Sequence, residues 1–432
     1  MKIKLLSVLL LLVLGVAVLL MVVSGFQSVE QEYNTNLTRA RENAQKQIPY
    51  NAYHYYQAAF EIRCEDESVY QEYLAQAQAL GSSFYKTAVQ EYVERFPESA
   101  TAYELLCQVY YESRNYSLVM STALEARAKG VATEQVKDWY NECAYMLKDI
   151  KTGLEEAQTF LGGYALVKVN GRFGYLSSNG NYLLAPIYPE ASTMMGSTMA
   201  VNDGEEWFLI NTAGYKVART SEPVDYMGIL VGGKIPIAVD GKYAYVNTSF
   251  TIPEELPYDF ASNYKNGVAA VKVGEKWALI DSDEALITDY IFEDVLLDEY
   301  GTCYNGGVIF AKYNGKYYMV NSQGARISEQ AFDDAKPFLG SEFAAVCIDG
   351  KWGFVNTSGA IVIDPQYEDA NSFSIGLGAV CVDGLWGYIN TSGTIRIECQ
   401  FEACLPFSST GIAAVKENGY WKYVRLFSYY YS

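Results

Sequence analysis

Ala345-Val-Cys-Ile-Asp-Gly-Lys-Trp-Gly-Phe-Val-Asn-Thr-Ser-Gly359 is followed, one period later, by Ala379-Val-Cys-Val-Asp-Gly-Leu-Trp-Gly-Tyr-Ile-Asn-Thr-Ser-Gly393. Each copy continues through an alternating stretch, Ala360-Ile-Val-Ile-Asp364 or Thr394-Ile-Arg-Ile-Glu398. Each closes on an aromatic followed by acid, Tyr367-Glu-Asp-Ala370 or Phe401-Glu-Ala403. A period of about 35 residues is that of a tandem structural repeat. Working outward, the aromatic after the tight turn recurs at Phe173, Trp207, Tyr243, Trp277, Tyr317, Trp352 and Trp386, with a partial copy over Ala414–Val424. The long interval between Trp277 and Tyr317 holds Leu296–Gly306, read as a loop insertion. The array therefore spans 163–432 as about seven to eight units.

One unit can be read from its residues. Alternation of apolar and polar positions gives a half-buried strand. Asp349-Gly350, Asp240-Gly241 and Asn314-Gly315 are hairpin turns in which glycine accepts positive φ. The following strand places a large aromatic on one face, and the small residue after it permits close approach of another backbone. Asn-Thr-Ser-Gly forms a second turn through side-chain bonds to its own backbone. Such a sheet cannot bury its aromatic face alone, so copies must pack together. A β-propeller and an open β-solenoid both satisfy this, and the strand count per unit favours the propeller.

Trp352-Gly353-Phe-Val-Asn356 and Trp386-Gly387-Tyr-Ile-Asn390 resemble the signature of bacterial WG repeat proteins. Phe173-Gly174 keeps the glycine, whereas Trp207-Phe208, Tyr243-Ala244, Trp277-Ala278 and Tyr317-Tyr318 have lost it. The resemblance implies an all-β repeat domain and no defined activity.

Ahead of the repeats the chain changes character. Lys2 and Lys4 precede an apolar run from Leu5 to Val23, and Glu30 and Glu32 follow it. A run of roughly 19 residues is long enough to span a bilayer. The positive-inside rule then puts the N-terminus in the cytoplasm and the rest outside. A cleaved signal peptide, with Val23-Ser24-Gly25 as a weak site, is the alternative and exports the same body. Residues 27–162 are rich in Ala, Glu, Gln, Leu and Tyr, with helical spacing at Tyr70, Tyr73, Leu74 and Ala77 and again at Ala102, Leu105, Leu106 and Val109. Breaks are expected at Gly81–Ser83, Pro97–Ser99, Arg114-Asn115 and Gly130–Thr133, with Ser99 and Thr133 as N-caps. Ala102–Tyr110 and Phe84–Pro97 resemble degenerate tetratricopeptide (TPR) helices. The expected organisation is thus multidomain: a leader and anchor over 1–26, an all-α TPR-like domain over 27–162, and the WG-repeat β domain over 163–432.

The formal charge of −19 argues against nucleic acid and anionic lipid surfaces as partners. The eight cysteines show no metal spacing. Cys347 and Cys381 occupy one repeat position as buried thiols, and Cys399 and Cys404 are a candidate pair. The single histidine, His54, has no partner for a zinc site and reads as a packed surface residue. The acid pairs Glu293-Asp294, Asp333-Asp334 and Glu368-Asp369 are the best acidic candidates for acid–base work or Ca²⁺ binding. They recur at one repeat position, which suits turn caps and solvated strand edges better than catalysis. Asn356-Thr-Ser358 and Asn390-Thr-Ser392 match glycosylation sequons but already have a turn role.

No catalytic, cofactor-binding or metal-binding residue is assigned, and no cofactor is expected. The expected function is that of a membrane-anchored extracytoplasmic scaffold that recruits a protein or cell-envelope partner without catalysis. The alternative is a cell-wall glycan hydrolase or lyase using acids on the propeller face. The irregular unit around Asp281–Tyr304 is where such a departure would lie.

Overall fold

In each repeat the two-residue turn decides the local structure. Asp349 and Gly350 have φ of 51° and 75°, and Asn314-Gly315, Asp240-Gly241 and Asp383-Gly384 repeat the pattern. Two successive positive φ values give the twist that joins antiparallel strands without splaying them. The computed structural model describes residues 27–194, 196–340 and 342–430. The anchor expected over Leu5–Val23 lies outside these residues. No helix among those described is long and apolar enough to cross a membrane.

The chain divides into two units, Met1–Ala144 and Tyr145–Ser432. The helical unit comprises α1 (27–45), α2 (Pro49–Ile62), α3 (Glu67–Leu80), α4 (Ser82–Arg95), α5 (Ala100–Glu112), α6 (Tyr116–Ala128) and α7 (Glu134–Ala144). Every expected break separates two of these helices. Ser99 accepts from the Ala102 amide at 3.3 Å and Thr133 from that of Val136 at 3.3 Å, satisfying amides that the helix start leaves open. The core is a run of tyrosines: Tyr70 stacks on Phe60 and Tyr92 with ring centroids 5.1 Å apart in both cases.

The β unit forms eight sheets among the described residues. Blades 1 to 7 follow chain order, each with a central hairpin and an inner strand that is short in blades 1 to 6 and runs Asp369–Ser374 in blade 7. The central hairpins are Tyr164–Val169 and Arg172–Ser177 in blade 1, Thr198–Asn202 and Trp207–Asn211 in blade 2, Ile235–Val239 and Lys242–Val246 in blade 3, and Ala269–Val273 and Lys276–Ile280 in blade 4. They continue as Ile309–Tyr313 and Lys316–Val320 in blade 5, Phe343–Ile348 and Lys351–Asn356 in blade 6, Leu377–Val382 and Leu385–Asn390 in blade 7, and Ile412–Glu417 and Tyr420–Leu426 in blade 8. Eight apolar clusters lie between successive blades, and the last joins Ile412, Ala414 and Tyr423 of blade 8 to Ala165, Val167 and Leu176 of blade 1. That final cluster closes the ring and excludes an open solenoid.

The closure differs from the expected domain boundary at residue 163. Leu147–Leu154 pairs antiparallel with Tyr420–Leu426 and forms the outer strand of blade 8. Blade 1 has four strands of its own, so the terminal half-unit is completed by the segment preceding the repeats. Leu147–Leu154 carries none of the repeat's turn residues, which is why the period alone leaves it among the helices. The Leu154 side chain is fully buried in the closing cluster.

In the three blades that keep the glycine, the repeat aromatic faces the aromatic that ends its own unit: Trp352 pairs with Tyr367, Trp386 with Phe401 and Phe173 with Tyr188. The glycine after it has a specific task. A Cβ on Gly353 would lie 2.6 Å from the Ile363 carbonyl oxygen and 2.7 Å from Pro365 N. Gly387 meets Ile397 and Cys399, and Gly174 meets Pro186, at equally short range. These three blades have seven-residue outer strands, Tyr182–Tyr188, Ile361–Tyr367 and Ile395–Phe401, each with a register shift over the glycine. Where Phe208 replaces glycine the outer strand shortens to Lys216–Ala218. Where Ala244, Ala278 or Tyr318 does so, only isolated bridges such as Trp277 to Phe292 remain.

Candidate functional site

The recurrent acids are the first residues to place, because only they offered chemistry. The first acid of each pair lies just before an inner strand and accepts a backbone amide from the hairpin turn of the same blade. Glu293 takes the Gly315 amide at 2.9 Å, Glu368 that of Gly384 at 2.9 Å and Asp333 that of Asp349 at 2.7 Å. Glu155, Asp225, Asp259 and Glu402 do the same for Gly171, Asp240, Gly274 and Gly419. Glutamate reaches the second turn residue and aspartate, one methylene shorter, the first. In blade 2 Pro189 stands in this position. The second acids are also engaged. Asp294 accepts from the Tyr317 hydroxyl at 2.5 Å, and Asp369 from the Ala370 amide at 2.7 Å and Lys336 at 2.8 Å. Asp334 accepts from the Ala335 amide at 2.8 Å. The pairs are therefore parts of the blade, and they do not converge on one pocket.

The other sequence candidates are equally local. His54 is exposed on α2, bonded to Gln57 at 3.1 Å and stacked edge-on against Tyr50. All eight cysteines are free thiols, so Cys399 and Cys404 do not pair. Burial pushes the Cys107, Cys143 and Cys303 thiols up to about 12, which keeps them protonated and poor nucleophiles. Among the described residues no three His, Cys, Asp or Glu side chains gather to hold a metal. The Asn356 and Asn390 side-chain oxygens accept the Ser358 and Ser392 amides at 3.0 and 3.1 Å, as the turn reading requires.

The departure from regularity is the insertion. Instead of looping outward, it runs across the inner ends of the blades. Asp298 caps its turn, accepting from the Thr302 amide at 2.8 Å, the Thr302 hydroxyl at 2.7 Å and the Tyr300 amide at 3.1 Å. Lys265 lies 3.5 Å from the same carboxylate. Buried Asn263 of blade 4 clamps the loop, donating to the Tyr300 carbonyl at 2.7 Å while its own amide donates to the Gly301 carbonyl at 2.8 Å. On the far side Glu299 accepts from the Thr159 amide of blade 1 at 2.9 Å, and the Tyr300 hydroxyl donates to the Thr159 carbonyl at 3.3 Å. The loop thus ties blades 4 and 5 to blade 1.

Beside this strap lies a cavity of about 320 Å³, lined by Thr159, Leu297, Glu299, Lys336, Asn371 and Leu405 among others. Its wall comes from the inner ends of blades 5 to 8 and blade 1. Lys336 is neutralised at the rim by Asp369 and accepted by Asn371 Oδ1 at 3.0 Å, and its ammonium lies 4.9 Å from the Trp352 ring centroid. Burial holds the Glu299 carboxyl above the usual range. Sequence reasoning marked the irregular unit but not Glu299 or Thr159, because neither belongs to a motif.

WG containing repeats are matched at residues 255–277, 320–352, 352–386 and 386–421. No curated protein matches the chain in sequence. Among solved structures, the crystal structure of a eukaryotic initiation factor is similar at 11% identity, covering 61% of this chain and 81% of that one with a TM-score of 0.42. Dihydro-heme d1 dehydrogenase NirN in complex with DHE is similar at 10% identity, covering 67% and 78% with a TM-score of 0.39. The C-terminal unit is an eight-bladed, propeller-like ring whose sequence carries WG containing repeats.

Proposed function

We propose that this chain is an extracytoplasmic scaffold, held at the membrane by the apolar segment Leu5–Val23, that binds a protein or cell-envelope partner through its repeat domains. The observation that carries the reading is at the outer strands of blades 1 and 2. On Tyr182–Tyr188, Ile187 is 62% exposed and Tyr182 is exposed too. Val217 on Lys216–Ala218 is 51% exposed, and Tyr215 in the turn before it 72%. Large apolar side chains held exposed on or beside strands are the anchors of a protein interface. The tandem helices α3 to α7, with α5 packed on both α6 and α7, supply a TPR-like second surface or a spacer. The catalytic alternative draws less support, since the recurrent acids are engaged in every pair.

The test is capture from envelope extract by the full chain, compared with Ile187→Ser, Tyr215→Ser and Val217→Ser combined. A saturable partner that the triple variant loses supports the scaffold reading. Turnover of a wall polymer that a single substitution at one acid pair abolishes replaces it with the enzyme reading.

A further inference from the structure

The helical unit has a period of its own. Ser99 and Thr133 cap α5 and α7 in the same way, and they stand about 34 positions apart, the length of a stacked two-helix repeat. α7 packs on α6 as α5 packs on α4. At that offset Val136, Lys137, Tyr140 and Asn141 of α7 correspond to Ala102, Tyr103, Leu106 and Cys107 of α5. All four α5 residues are buried, and α6 lies against them. The Cys107 thiol donates to the Val119 carbonyl at 3.8 Å, and the Tyr103 hydroxyl donates to Glu125 at 2.9 Å.

The helix that would cover α7 in turn is missing from the repeat. The chain leaves α7 at Ala144 for the blade strand Leu147–Leu154. Lys137 and Asn141 are exposed, Tyr140 is half-buried, and Leu124 of α6 is 47% exposed. With Val136 and Arg127 they line a groove of about 300 Å³ between α6 and α7. A stacked helix array that ends on an apolar face needs a cap, from its own chain or from another.

α6 shows what such a cap requires. Its Val119, Ala123 and Ala126 are buried and spaced along one helix face, with Glu125 beside them. Moved on by one repeat, the acid that meets the Tyr103 hydroxyl meets the Lys137 ammonium instead, and Arg127 adds a second positive charge at the rim. Lys137 pairs with exposed Glu134 at 2.6 Å, a surface contact that a new partner displaces at little cost.

We propose that this groove takes an amphipathic helix of another protein. That helix turns small apolar residues at i, i+4 and i+7 toward α7 and carries a carboxylate beside them for Lys137. The inference rests on the scaffold reading and gives its helical surface a partner class, but its test makes no use of the blade patch.

The probe is a fluorescein-labelled synthetic copy of α6, Asn115–Gly130, titrated against the full chain by fluorescence anisotropy. Saturable binding is expected, at least about tenfold weaker when the peptide carries Val119→Asp and Ala126→Asp. Leu124→Asp in the chain changes an exposed side chain and should also weaken binding about tenfold, with thermal unfolding as the check on folding. A Glu125→Lys peptide should bind the parent chain more weakly and recover on a Lys137→Glu chain. This reversal locates the site at α7, because displacement of the native α6 from α5 does not respond to residue 137. Absence of saturable binding overturns the proposal, as does binding that either Leu124→Asp or the charge exchange leaves unchanged. A dimer of the free chain that Leu124→Asp dissociates, seen by light scattering, also overturns it, since a second copy then fills the groove. Each of these outcomes leaves the capture assigned to Ile187, Tyr215 and Val217 untouched, so the wider scaffold reading stands or falls separately.

Discussion

The Glu368 carboxylate accepts the Gly384 amide at 2.9 Å, tying the residue just before the inner strand of blade 7 to that blade's own hairpin turn. The donor is a backbone amide, so the contact can recur in other blades with either acid. Replacing Glu368 by Ala removes a charge-assisted bond at an exposed turn. We expect a loss of about 1 kcal/mol, read as a lower urea midpoint with unchanged slope.

Asp333 makes the corresponding contact and also pairs with Lys316. Lys316, and then the Asp349 amide, hold its carboxyl below the usual range. A depressed folded-state value stabilises the fold above the unfolded value of about 3.9 and stops doing so as pH falls through the folded one. Asp333→Asn should therefore be less stable than the parent at neutral pH. The gap should shrink toward zero as the pH falls below about 4, measured by thermal unfolding across a pH series.

Gly353 lies under the backbone of Ile363–Pro365, so Gly353→Ala forces the outer strand of blade 6 away. A cost of about 1 to 3 kcal/mol is expected from overpacking. Gly350 offers a control, since a Cβ there meets nothing within 4 Å and suffers only from its φ of 75°. Hydrogen exchange should quicken over Ile361–Tyr367 in Gly353→Ala and stay unchanged there in Gly350→Ala.

Leu154 fills the cluster that joins the last blade to the first. Leu154→Ala should cost about 2 to 5 kcal/mol, as for other buried leucines. Because this seam closes the ring, limited proteolysis should cut next within Leu147–Leu154 and Tyr420–Leu426. A cut confined to the helical unit would count against a ring latched by these two strands.

The repeat sequence by itself determined the unit. The Asp-Gly turns, the aromatic after them, the Asn-Thr-Ser-Gly turn and the period are local instructions, and each appears in the ring as read. The helix breaks and the caps at Ser99 and Thr133 were legible for the same reason, because a cap acts within three residues. Even the loss of glycine after the aromatic carried information, since it marks the blades whose outer strand is reduced.

Tertiary structure alone decided what depends on distant partners. Leu147–Leu154 has no repeat signature and becomes a blade strand only because Tyr420–Leu426 presents an open edge to it. The acid pairs read as possible chemistry until the turn amides that they cap came within reach. Glu299 and Thr159, 140 positions apart, form one contact because a loop at the ring axis can touch any blade. Local sequence encodes turns and faces, whereas the centre of a closed ring gathers residues by geometry that no period records.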